Sequence, residues 1–170
     1  NSLGGFTQGS SIPIIHDENG KNSSASLKVT TKFNGRNTDG PTTTNTDMNI
    51  PASVSSDSYF GNARKEFGGI NVPESAFKIE GLETNKTYSF CFFAARMNVG
   101  DNRETKYTVK GTNESIVYLN ASGNSSKTVC ATGIKPDSDG SITVTLTMGP
   151  NNNNEYGFYY INAMKIAPEN

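Results

Sequence analysis

The chain has 170 residues, 33% hydrophobic and 18% charged, with a formal net charge of −1. That length fits one domain spanning 1–170. The near-neutral charge argues against a nucleic-acid binder, which needs a basic surface to release counterions. No apolar run approaches the roughly 20 residues that cross a bilayer, so no membrane partner is expected. One His and no Trp disfavour His-based catalysis and metal sites built on several imidazoles.

Low hydrophobicity can mean disorder, but here the apolar residues are patterned. His16 lies in a polar run after Ile14 and Ile15 and reads as a surface turn. Leu27, Val29, Thr31 and Phe33 alternate with Lys28, Thr30 and Lys32, which predicts a half-buried strand. The stretch 34–51, rich in Thr and Asn, is the longest predicted loop. Residues 56–62 set the adjacent aromatics Tyr59 and Phe60 among Ser, Asp, Gly and Asn. Phe77 and Ile79 alternate with Lys78 and Glu80. Residues 87–95 become apolar on both faces after Ser89, which predicts a central strand covered on both sides.

Shorter strands are predicted at 107–109, 116–119 and 128–131. Pro136, Asp137, Ser138, Asp139 and Gly140 form a turn. It feeds the clearest strand, 141–148, where Ile142, Val144, Leu146 and Met148 oppose Ser141 and three Thr. A last strand is predicted at 157–166. β-branched and aromatic residues dominate these segments, and no segment has a helical apolar period. Short strands with turns every 8–12 residues predict an all-β fold, an antiparallel β-sandwich of jelly-roll type.

Cys91 and Cys130 fall in two predicted strands and match no zinc spacing. They either form a disulfide, if the strands are neighbours, or are two small core residues. No Gly-X-Ser-X-Gly elbow is present. Asp137 and Asp139 lack the acid that would close an EF-hand loop. None of the acids is singled out as one of a glycosidase pair.

Three segments suit polyol recognition. Tyr59 and Asn62 belong to the first. The second leaves the most apolar strand and is dense in polar groups: Arg96, Asp101, Asn102 and Arg103. Their side chains make directional, charge-assisted hydrogen bonds, either to a ligand or within a locked loop. The third runs from Pro150 to Gly157. Its Asn152 and Asn154 amides both donate and accept, and Tyr156 offers a flat face to a sugar ring. A solvated hairpin loop accounts for the same residues.

The chain also resembles a known group of modules. The matching stretches are Lys32-Phe33-Asn34-Gly35-Arg36-Asn37-Thr38-Asp39-Gly40, residues 56–62, Gly81 and Leu82 with Thr87-Tyr88-Ser89-Phe90, and Phe93-Ala94-Ala95-Arg96. Asp101-Asn102-Arg103-Glu104-Thr105-Lys106-Tyr107 and Tyr159-Tyr160-Ile161-Asn162-Ala163 complete them. Together they resemble the β-sandwich, carbohydrate-binding-like modules attached to secreted polysaccharide-active enzymes and esterases of Bacteroidetes. The resemblance implies a jelly-roll-like fold, a secreted or cell-surface location and a non-catalytic role. It names no glycan. Cys91 and Cys130 depart from the pattern, which favours an added disulfide. The expected partners are a polysaccharide or oligosaccharide and a tethered catalytic domain, the module itself being a monomer. A structural calcium ion is expected from the habit of similar sandwiches. The competing expectation is a spacer module without glycan affinity, for which the missing Trp speaks.

Overall fold

The computed structural model describes residues 1–169. Its strands are β1 (Ser11–Ile12), β2 (Ser26–Thr31), β3 (Gly35–Asn37), β4 (Ser58–Phe67), β5 (Ile70–Val72), β6 (Glu74–Glu80) and β7 (Thr87–Phe93). They continue with β8 (Glu104–Lys110), β9 (Glu114–Asn120), β10 (Val129–Ile134), β11 (Ile142–Met148), β12 (Phe158–Ile161) and β13 (Ala163–Glu169). One short helical turn, α1 (Ala52–Ser55), precedes β4. All strand pairs are antiparallel.

One layer is a six-stranded sheet in the order β1-β2-β6-β11-β8-β9. The facing layer is made of β10-β7-β13 and β12-β4-β3, with β5 paired to β4. The fold is an all-β, antiparallel β-sandwich of jelly-roll type. Its core comes from the apolar stripes read in the sequence. Ile142, Val144 and Leu146 on β11 meet Tyr107 and Val109 on β8 and Phe90 and Phe92 on β7, all fully buried. The Phe92 and Tyr107 rings stack across the layers at 4.3 Å.

Three local expectations need correction. The strand at 87–95 is central in its three-stranded sheet but not covered on both sides: Ser89 and Cys91 on its outer face are only half-buried. The 34–51 loop begins with β3, which pairs with β4. The run at 157–166 is two strands, because Asn162 interrupts it. The Asn162 Oδ1 accepts the Ala95 amide at 2.8 Å, and its Nδ2 donates to the Ser55 carbonyl at 2.8 Å. The chain thereby leaves the β4 ladder and joins β7. Cys91 and Cys130 are directly paired across β7 and β10 and form a disulfide, with Cα atoms 4.0 Å apart.

Candidate functional site

Most of the polar residues singled out in the sequence meet in two loops at one end of the sandwich. Residues 94–103 link β7 to β8, and residues 149–157 link β11 to β12. The loops lie side by side because the Asn102 amide donates to Asn153 Oδ1 at 2.6 Å and the Asn153 amide returns a bond to the Asn102 carbonyl at 3.0 Å.

At the centre is Asp101. Its Oδ1 accepts from Arg103 Nε at 2.9 Å, and its Oδ2 accepts from the Asn154 amide nitrogen. Burial works to raise the Asp101 pKa, but the hydrogen bonds from Arg103 and Asn154 outweigh it and hold it below the ordinary carboxylate range. The Arg103 guanidinium continues to the Tyr160 hydroxyl at 2.8 Å and lies 5.4 Å from the Phe158 ring centre. Desolvation works against its charge, yet Asp101 and Tyr160 raise its pKa.

The loop amides are spent on backbone. Asn152, 2% exposed, donates to the Glu104 and Phe158 carbonyls at 3.0 and 2.7 Å. Asn154, 4% exposed, accepts from the Tyr156 and Phe158 amides. Asn62 is fully buried; it donates to the Lys65 and Ile70 carbonyls and accepts from Asn34, fixing the bulge in β4. In these three positions the amides that suit a polyol serve the fold.

Tyr156 is half-buried, stacked on Phe158 at 5.2 Å with Lys65 4.5 Å from its ring centre. Tyr59 lies apart from the other candidates. Its hydroxyl donates to the Leu3 carbonyl at 2.5 Å, and its ring lines an apolar cavity of about 320 Å³ with Leu3, Ile15, Phe77 and Met164. Arg96 pairs with Asp39 at 3.0 Å and donates to the Met97 carbonyl at 2.7 Å. Among the described residues, two buried side-chain polar atoms lack a hydrogen-bond partner, Arg96 Nε and Asn102 Oδ1. Both are on the 94–103 loop, where unsatisfied groups invite an explanation.

Beside this loop runs a groove that the sequence reading missed. It has a volume of about 630 Å³ and is polar, lined by Tyr118, Asn120, Ser122, Ser126, Lys127 and Thr128 among others. Its position follows from the β9–β10 connection, residues 121–128. Gly123 takes φ +64°, a conformation glycine adopts without strain. Asn124 is buried and pins the loop: it donates to the Ala94 and Lys127 carbonyls and accepts the Ser126 and Lys127 amides. The 94–103 loop is tied behind it. The Arg96 amide donates to Ala121, the Gly123 amide to Arg96, and the Arg103 amide to Asn120 Oδ1 and Ser122 Oγ.

The groove therefore has a fixed wall and a free lining. Among the described residues, the Asn120 amide nitrogen and the side chains of Ser126, Lys127 and Thr128 make no hydrogen bond to protein. Tyr118, 42% exposed, stands at the rim. The sequence held one signal for it. In 116–119 the alternation sends Val117 and Leu119 inward, so Ile116 and Tyr118 must face out. Among the described residues no group of three or more His, Cys, Asp or Glu is placed to hold a metal ion.

No family model and no curated protein matches the chain. Among solved structures, the ANXUR1 extracellular domain from Arabidopsis thaliana superposes with a TM-score of 0.50 at 13% identity. The match covers 81% of this chain, which spans only 39% of that one. The family 32 carbohydrate-binding module of C. perfringens NanJ, solved with galactose, gives a TM-score of 0.43 at 17% identity, covering 84% of this chain and 93% of that one. TmCBM61, solved with β-1,4-galactotriose, gives 0.40 at 15% identity, covering 92% and 87%. At 13% identity the ANXUR1 likeness is one of fold alone.

Proposed function

We propose that this chain is a non-catalytic glycan-binding module of a secreted bacterial polysaccharide-degrading enzyme. The observation that carries the reading is the groove beside Tyr118. It combines an exposed aromatic face with hydroxyl and amide groups that the fold has not used. Its size lies in the range of small-ligand sites. A pyranose ring offers C–H faces to an aromatic ring and hydroxyls to Asn, Ser and Thr. The 94–103 loop supports the groove from behind, through its backbone bonds to Ala121, Asn120 and Ser122. The Asp101–Arg103–Tyr160 and Asn152–Asn154 bonds make this end rigid, which lowers the entropy cost of binding. Tethering to a catalytic domain would raise that domain's effective concentration on its polymer. The disulfide fits an oxidising, extracellular compartment.

A spacer module without glycan affinity is the second reading. It is favoured by the internal use of Asn62, Asn152 and Asn154. A glycan array followed by titration calorimetry separates the two. Binding at micromolar to millimolar levels that weakens in Tyr118→Ala supports the module. Silence across plant and algal polysaccharides selects the spacer.

A further inference from the structure

Resting on that reading, we propose that the groove takes an anionic glycan, with sugar carboxylates meeting Lys127 and Lys106 on either side of the Tyr118 ring. Lys127 lines the groove itself. Lys106 is the residue directly opposite Tyr118 in the β8–β9 ladder, which puts the two side chains on the same outer face, about 5 Å apart at Cβ. Among the described residues neither lysine is in an ion pair, whereas Arg36, Lys65, Lys78, Lys86, Arg96 and Arg103 each have a carboxylate partner.

The groove lining contains no Asp or Glu. The carboxylates nearby are already engaged. Asp39 meets Arg96, and Asp101 meets Arg103. Glu104, opposite Asn120, is buried beneath the 149–157 loop, where Asn151 donates its backbone amide to one oxygen and its side-chain amide to the other. Further along the same ladder, Lys110 lies opposite Glu114, away from the Tyr118 end. A chain with an overall net charge of −1 thus presents two free cations around its aromatic rim. Sugar hydroxyls on Asn120, Ser126 and Thr128 fix orientation, and the lysines select for charge.

The test uses oligogalacturonides and their fully methyl-esterified counterparts, which share a backbone and differ in charge. Titration calorimetry at about 20 mM and about 300 mM salt reads the difference. The expected result is about five-fold tighter binding of the acid form at low salt, shrinking at high salt. Lys106→Ala/Lys127→Ala should remove the preference, and Lys110→Ala should keep it. Equal affinity for acid and ester, or a preference that survives the double substitution, overturns the inference while leaving a neutral glycan site standing. Polyglutamate binding as tight as the oligogalacturonide also overturns it, since charge alone would then suffice. Failure of acid, ester and a neutral glycan array together overturns both this inference and the proposed function.

Discussion

Removing the disulfide should cost stability without opening the core. Cys130 is exposed and Cys91 half-exposed, on the solvent side of β7 and β10, so Cys91→Ala/Cys130→Ala leaves no cavity. The loss comes from the unfolded chain, which regains the entropy of a closed loop. For a separation of 39 residues the chain-entropy relation gives about 4 kcal/mol. A domain of this length unfolds with an entropy of about 0.36 kcal/mol per kelvin near its midpoint, which makes the expected fall in Tm about 11 °C. Thermal melts followed by circular dichroism, for the variant and for the native protein with and without reductant, measure it. A fall below about 3 °C would refute the reasoning, as would two free thiols titrated in the denatured, unreduced native protein.

Tyr118→Ala should leave Tm within about 1 °C, because the ring is exposed, and weaken glycan binding by about three- to ten-fold, read by calorimetry. Asn152→Ala should lower stability by about 2–4 kcal/mol in urea unfolding, since it strands the Glu104 and Phe158 carbonyls and the Asn154 amide. Gly61→Ala should destabilise by more than about 3 kcal/mol: its Cβ would lie 2.0 Å from the Tyr159 hydroxyl, which is held between Ser75 and Val72. Asp101 has its pKa depressed in the folded state, so its stabilising effect is complete above the ordinary value of about 4. It should fade as the pH falls through the lower folded value. Asp101→Asn should abolish this acid-side slope in stability measured against pH. EDTA melting curves test the expected calcium ion: a drop in the native Tm reveals a bound ion, and an unchanged Tm argues against one.

The fold was legible wherever one face of a strand meets water. β11 alternates cleanly, and so does β6 from Phe77 to Glu80, with the inward residues the buried ones. β4 was missed because its second half, with Arg64, Lys65 and Glu66, leaves the core and is polar. β12 is buried at every position, so periodicity could not show that it ends at Asn162. The disulfide depended on strand order, which spacing does not encode. The site was legible in part. The loops at 94–103 and 149–157 were identified, but residue type alone cannot say whether an asparagine amide is free. Asn152 and Asn154 bond nearby backbone, while Asn120 keeps its amide nitrogen open. Tyr118 was hidden by being ordinary: an aromatic in a strand is usually core, and only the parity of 116–119 marks this one as outward.

The break at Asn162 has a consequence for the order of assembly. Residues 158–169 supply the ladder partner of β4, about 100 positions earlier in the chain, and then that of β7, about 75 positions earlier. On a growing chain, β4 and one edge of β7 stay open until this last stretch arrives. Contacts of such sequence separation make folding slow and leave strand edges exposed to aggregation in the interval. Truncation before Phe158 would deprive both halves of the second layer at once, and with them the Tyr160 hydroxyl that anchors Arg103.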